Sequence, residues 1–236
     1  MGSPETETDR GKDEGPHRTV SVSEFFMSKH VVTQAQWKAV SALMEKRKVD
    51  LKADASKFKG DRLPVEQVSW DEAVEFCDRL SIHTGLDYRL PTEAQWEYAC
   101  RAGTETPFYF GETLYKEVAN YDGNYTYGAG SKRKYLGKTT DVGSYPANGW
   151  GLYDMHGNVW EWCLDPWHEN YGSAPSDDRV WDASNDSGSK LRLNRGGAWH
   201  DNPGYCRSAS RNNFGPAIQP YNIGFRVVCL SSRGPS

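Results

Sequence analysis

VSWDEAVEFCDRLSIHTGLDYRLPTEAQWEYACRAG, residues 68–103, contains two helix starts of one design. Ser69 and Glu72 stand three apart ahead of Ala73, Phe76, Cys77 and Leu80. Thr92 and Gln95 repeat the arrangement ahead of Trp96, Ala99 and Cys100. In each, the hydroxyl can accept from an orphan backbone N–H, and the third residue can reach back to the cap. Apolar spacings of three and four then lay one stripe against a core. Gly85 and Gly103 are placed to end the two helices.

Upstream, Thr33 and Gln36 set a third such start before Trp37, Val40, Leu43 and Met44. Val20 to Met27, with Val20, Val22 and Phe26, predicts a strand, and polar Met1 to Pro16 predicts a flexible or strand-flanking arm. Downstream of Gly103 helical periodicity stops. Thr104 to Ser189 is rich in Gly, Asn, Asp, Ser and aromatics. So long a stretch without periodicity implies ordered loops pinned by specific contacts, an ion among the candidates.

The expected fold class is α+β: two or three helices, short antiparallel strands and many loops, in one domain over 1–236. Nine Trp and 13 Tyr among 236 residues supply a core, and 23 Gly with 12 Pro suit turns better than a bundle. Net charge is −4 with the signs interspersed, so no basic stripe predicts nucleic acid as a partner. No apolar run reaches the roughly 18–20 residues that span a bilayer, and no signal peptide precedes the first motif. Cys77, Cys100, Cys163, Cys206 and Cys229 form no CxxC pair. Their odd number and spacing argue for buried thiols over a disulfide framework or structural zinc.

Four segments in order resemble the formylglycine-generating-enzyme, or sulfatase-modifying-factor, family: residues 1–37, residues 68–103, NGWGLYDMHGNVWEWCLD at 148–165, and RGGAWHDNPGYCRSASRN at 195–212 with NIGFRVV at 222–228. The resemblance covers nearly the whole chain and implies a C-type-lectin-like fold. Enzymes of that family oxidise a substrate cysteine with oxygen, using two copper(I)-binding cysteines five residues apart after the GG pair. Aligned on Arg195-Gly196-Gly197, the second position is Cys206 and the first is Asp201. Aspartate is a hard ligand and does not replace a thiolate for Cu(I). The resemblance therefore implies neither copper nor oxidase activity. The family's iron-dependent branch needs a histidine cluster from a further helical domain, and the six histidines here show no ligand spacing. GxSxG, P-loop and dinucleotide fingerprints are missing.

Asp154 and Glu161 flank a turn whose carbonyls can point inward, a hard-oxygen mixture suited to Ca²⁺. Carried over from the family, the side chains of Asp154 and Glu161 and the carbonyls of Gly157 and Val159 would be the ligands. The alternative is that both carboxylates cap turns or pair with arginines. At a second family site upstream only Asn120 and Tyr121 align.

HDNPGYCRSASRNNFGPAIQPYN, residues 200–222, lacks Lys, Glu, Met and Trp. Its residues are nearly all reachable from an Asn codon when the adenines change; Gln219 is the exception and reads as a fixed position. The pattern resembles the variable proteins of diversity-generating retroelements, of the Treponema and Thermus type, which diversify a C-terminal stretch on this scaffold. That implies a non-catalytic binder of a protein or cell-surface ligand, with a cell-surface or secreted location by analogy alone. Within 195–226 the expected framework is Arg195, Gly196, Gly197, Trp199, Cys206, Arg207, Arg211, Pro216, Gly224, Phe225 and Arg226. The expected ligand-binding residues are His200, Asp201, Asn202, Gly204, Tyr205, Ser210, Asn212, Phe214, Ala217, Ile218, Pro220, Tyr221 and Asn222. Tyr205, Phe214 and Tyr221 are the expected anchors, because rigid aromatics dominate such surfaces. An oxidase with altered metal chemistry and an inactive structural domain are the competing readings.

Overall fold

A computed structural model describes residues 1–45, 48–115, 117–181 and 190–230. All three helices start with the expected reciprocal caps. α1 spans Gln34–Ser41, α2 Trp70–Thr84 and α3 Glu93–Arg101. Ser69 N donates to Glu72 Oε2 at 2.8 Å while Glu72 N donates to Ser69 Oγ at 3.2 Å. Thr33 with Gln36 and Thr92 with Gln95 do the same. Each such box contributes on the order of 1 kcal/mol. α2 ends as predicted on Gly85, in the left-handed region at φ 73°. α3 ends one residue before the expected glycine, on Ala102 at φ 46°.

Among the described residues there are seven short strands: β1 Phe25–Met27, β2 Tyr88–Arg89, β3 Trp160–Pro166, β4 Arg192–Arg195, β5 Arg211–Phe214, β6 Ile223–Gly224 and β7 Val228–Leu230. They form one sheet ordered β1-β7-β2 and another ordered β5-β4-β3-β6. Pairing is antiparallel apart from β3 with β6, which is parallel. The parallel β3–β6 pair adds to the short antiparallel strands expected. Between β5 and β6 the chain is hydrogen-bonded to the entrance of α2 through the carbonyls of Pro216 and Pro220, and then returns beside Trp160.

The largest core packs α1 and α2 on the four-stranded sheet: Trp37 stacks on Phe76 at 5.7 Å, and Phe225 meets both edge-on. A second core joins Trp96, Cys100, Met155, Cys163 and Leu193. Burying each large side chain contributes about 1.5–3 kcal/mol. Four cysteines are buried, Cys229 is half-buried, and all five are free thiols.

Three expectations are corrected. α1 stops before Leu43 and Met44, and Met44 is 95% exposed, because the apolar spacing continues past the last helical hydrogen bond. The strand predicted over 20–27 is confined to Phe25–Met27, with one isolated bridge from Ser21 to Asp177 upstream. The N-terminal arm is docked. Gly2 N donates to Glu97 Oε1 at 2.9 Å, Ser3 Oγ donates to Glu14 Oε2 at 2.7 Å, and Glu14 is buried.

Candidate functional site

The C-terminal surface starts where β4 ends. Gly196 and Gly197 take φ values of 100° and 75°, and a Cβ on Gly197 would lie 2.6 Å from Cys206 Sγ. Only glycine allows that approach, so the chain turns abruptly into the loop that follows. Buried arginines then fix the loop. Arg195 donates to the carbonyls of Ser208, Ala209 and Ser210 and to the carboxylate of Glu97. Arg207 holds Glu7, Glu14 and the Asp9 carbonyl of the N-terminal segment. Arg211 holds Glu93 and the carbonyls of Asp13 and His168. A short 3-10 turn at Pro203–Cys206 is capped by Asn202, whose side chain accepts from Gly204 N at 3.0 Å.

The second half, after β5, is pinned to the entrance of α2. Trp70 N donates to Pro216 O at 2.9 Å and Gln67 N to Pro220 O at 3.1 Å. Gln219 Nε2 donates to Glu72 Oε2 at 2.8 Å, so the residue outside the codon pattern is tied to the cap of α2. Gly224 lies so close to Val65 that a Cβ would come 2.4 Å from its carbonyl oxygen.

On this frame the expected binding residues separate. Asn202, Tyr205, Ala217, Ile218 and Tyr221 are exposed, with Tyr205 at 56% and Ile218 at 51%. His200, Asp201, Asn212, Phe214 and Pro220 are half-buried. Gly204, Ser210 and Asn222 are buried and are corrected to framework. A Cβ on Gly204 would meet Asp9 Oδ2 at 2.6 Å; Ser210 gives its carbonyl to Arg195; Asn222 O accepts from Trp160 N at 2.8 Å. Phe214, an expected anchor, is half-buried and packs against the main core. Pro216 is the expected framework residue that is half-buried.

Asp201 does structural work. Its Oδ2 accepts from Trp160 Nε1 at 2.7 Å and from Ala198 N at 2.9 Å. Burial pushes its carboxyl above the usual range, against the pull of His200 and the Trp160 bond. Cys206 lies fully buried, and burial raises its thiol well above the ordinary value. Such a thiol stays protonated and is a poor nucleophile.

Around Trp199 the structure assembles rings that sequence spacing did not group. Trp199 meets His200 at 4.8 Å, Phe58 at 5.5 Å, and Tyr135 and Tyr221 at 5.9 Å. Lys57 Nζ lies 4.7 Å from the Tyr221 ring centroid. Tyr205 is in no ring contact with this group. It borders a cleft of about 400 Å³ between residues 9–14 and the C-terminal loop. Lys57, Phe58 and Tyr135 carry no local signal of their position, because they reach Trp199 from remote loops.

The carried-over metal ligands fit a cation unevenly. Asp154 is buried; its Oδ2 accepts from Gly143 N at 2.7 Å, while Oδ1 has no hydrogen-bond partner among the described residues. Glu161 is engaged on both oxygens, by Arg226 Nη2 at 2.7 Å and Nε at 2.6 Å, and by Trp96 Nε1 at 2.8 Å. Gly157 O accepts from Val159 N at 3.0 Å. Among the described residues no group of three or more His, Cys, Asp or Glu is placed to hold a metal, and no helix is long and apolar enough to cross a membrane.

A family model described as the sulfatase-modifying factor enzyme 1-like domain matches residues 1–230. Mouse formylglycine-generating enzyme is 33% identical over 183 residues, covering 74% of this chain and 46% of that protein. The chain thus spans under half the length of the mouse and bovine enzymes it matches. Chaperone protein LppX of Paenibacillus barcinonensis is 30% identical over 227 residues, covering 77% of this chain and 71% of that protein. Among solved structures, PvdO from Pseudomonas aeruginosa aligns with TM-score 0.80 and 33% identity over 98% of this chain and 90% of the other. Treponema denticola variable protein 1 aligns with TM-score 0.76 and 26% identity over 98% and 93%. The α+β, C-type-lectin-like fold is shared with these proteins. Sequence match and fold together show that the chain belongs to the formylglycine-generating-enzyme, or sulfatase-modifying-factor, domain family.

Proposed function

We propose that this domain is a non-catalytic binder of a protein ligand, of the kind diversified by retroelements, and that residues 195–226 present its contact side chains. One observation carries the reading. Exposed Asn202, Tyr205, Ala217, Ile218 and Tyr221 sit between backbone segments clamped by buried Arg195, Arg207 and Arg211 and by contacts to α2. Side chains there can change while the frame stays. Rigid aromatics with short polar neighbours suit adaptable recognition.

The 33% identity to the mouse enzyme favours the competing oxidase reading. Asp201 in the first cysteine's place, and the sealed thiol of Cys206, oppose it. A CxPxR peptide incubated with the domain, copper and oxygen separates the two: the binder leaves the cysteine unoxidised, and turnover overturns this reading. A neighbouring reverse-transcriptase gene and a near-copy template repeat are expected beside the coding sequence; their absence returns the domain to an inactive structural role.

The calcium expectation is a separate part of the proposal. It rests on Asp154 Oδ1, a buried oxygen without a partner among the described residues. Asp154 with the carbonyls of Gly157 and Val159 would hold the ion, and Glu161 would join by sharing oxygens with Arg226.

A further inference from the structure

The rings around Trp199 come from two sources. Trp199, His200 and Tyr221 belong to the C-terminal stretch, while Lys57, Phe58 and Tyr135 do not. The second set has anchors of its own. Ser56 Oγ accepts from Glu66 N at 3.1 Å, and Glu66 Oε1 accepts from Phe58 N at 3.0 Å, so the loop bearing Lys57 and Phe58 is tied to the core. Tyr135 stacks on Trp199 at 5.9 Å, and two residues upstream Arg133 Nη2 donates to Tyr121 O at 3.2 Å, which ties that stretch of chain to the buried Tyr121. Trp199 itself is 6% exposed, and its indole Nε1 has no acceptor among the described residues.

Charge gives the wall a direction. In a chain of net charge −4, Tyr135 is bracketed in sequence by exposed Lys132, Lys134 and Lys138, and exposed Lys57 lies over the Tyr221 ring. Asp122 and Asp201 act on Tyr135, and the buried Glu66 feels the charge of Lys57. Asp201 is bound to Trp160 and Ala198. Asp122 Oδ1 accepts from Asn124 N at 3.0 Å. Exposed lysines beside aromatic faces favour a partner bearing carboxylates on a partly apolar segment. The interleaved aspartates make a continuous phosphate track unfavourable.

We infer that Lys57, Phe58 and Tyr135 form a fixed half of the ligand site, and that the partner presents an acidic, aromatic-containing protein segment to it. The inference rests on the binding reading above and names the partner's chemistry. The variable half then tunes affinity around a constant electrostatic and aromatic contact.

The test uses the full chain, immobilised, with a random glutamate–tyrosine copolymer as probe. Poly-L-lysine and a single-stranded oligothymidylate are the comparisons. The copolymer is expected to bind, poly-L-lysine to fail, and Lys57→Glu and Tyr135→Ala each to weaken binding about ten-fold. Lys29→Glu, an exposed charge reversal just beyond β1, is expected to change nothing. Thermal melting of Lys57→Glu checks that folding is intact. If Lys57→Glu and Tyr135→Ala bind the copolymer normally while Ile218→Ala and Tyr221→Ala do not, the fixed half is wrong and the binding reading stands. Absence of copolymer binding, or oligothymidylate binding abolished by Lys57→Glu, overturns the acidic-segment assignment. Copolymer binding unaffected by all four substitutions overturns both ideas.

Discussion

Arg207 donates from Nη1 to Glu14 Oε2 at 2.8 Å and from Nη2 to Glu14 Oε1 at 2.5 Å, joining positions 193 residues apart. Both groups are buried, and Glu7 adds a second carboxylate to the same guanidinium. The N-terminal segment is thereby clamped against the loop that carries Tyr205. Removing one member of such a pair leaves an uncompensated buried charge and costs about 3–5 kcal/mol. Arg207→Ala is expected to lose that much in urea unfolding. Arg207→Met combined with Glu7→Gln and Glu14→Gln is expected to lose clearly less than the single substitutions summed. Simple additivity would show that the clamp is not a coupled unit.

The same clamp sets an acid limit. Arg207 and the Ser3 hydroxyl hold the Glu14 carboxyl below its ordinary value of 4.5, in spite of burial. A depressed folded pKa stabilises above the unfolded value, and that contribution is lost as pH falls through the folded one. Glu7 is pushed upward by burial and acts in the opposite sense. Glu97, held low by Arg101 and Arg195, adds to the Glu14 effect. Stability is therefore expected to fall below about pH 4.5. Glu14→Gln should flatten that limb while lowering stability at pH 7. An unchanged acid limb in Glu14→Gln would remove Glu14 from the account.

How much of this was legible in the sequence follows from the range of each interaction. The three caps were legible because each is a contact between residues three apart. The docking of the arm was not, because Glu14 finds Arg207 only after the whole fold has formed. Gly204, Ser210 and Asn222 resemble their exposed neighbours in type, since small polar residues serve tight turns and open loops alike. What separates them is the approach of Asp9, Arg195 and Trp160, again from remote positions. Lys57, Phe58 and Tyr135 escaped for the same reason. Glu161 is legible as a carboxylate beside a turn, but which arginine it pairs with is set by Arg226 arriving from 65 residues away.

Asp201 offers a sharp comparison of acceptor against charge. Both Trp160 Nε1 and Ala198 N donate to the same oxygen, Oδ2. Asparagine can place its single carbonyl oxygen there and keep both bonds. Asp201→Asn is expected to stay within about 0.5 kcal/mol of the parent, and Asp201→Ala to cost about 1–3 kcal/mol by stranding two donors. Equal melting temperatures for the two variants would contradict the assigned role.

Exposure predicts which C-terminal positions tolerate change. Tyr205→Ala and Ile218→Ala are expected to alter stability by no more than about 0.5 kcal/mol. Phe214→Ala strips packing from the main core and is expected to cost about 2–4 kcal/mol. Gly197→Ala forces a Cβ into Cys206 at a positive φ and is expected to cost at least about 2 kcal/mol. Thermal melts of the four variants check the order. Destabilisation by Tyr205→Ala equal to that of Phe214→Ala would place Tyr205 in the framework.

Calcium can be tested without disturbing the fold, because Asp154 has a conservative replacement. Its backbone is left-handed at φ 56°, a region asparagine tolerates well. Asparagine also keeps an acceptor for Gly143 N while removing the charge that would attract a cation. Glu161→Gln is the wrong variant, since it weakens the buried pair with Arg226 and confounds binding with folding. Calcium titrated into the parent chain is expected to release heat and raise the melting temperature. The gain would reach about 2.7 kcal/mol at a hundred-fold excess over the dissociation constant. Asp154→Asn is expected to abolish both signals and leave the metal-free melt cooperative. No heat in the parent, or equal heat in Asp154→Asn, removes calcium from this site and leaves Oδ1 as a desolvated oxygen that the fold tolerates.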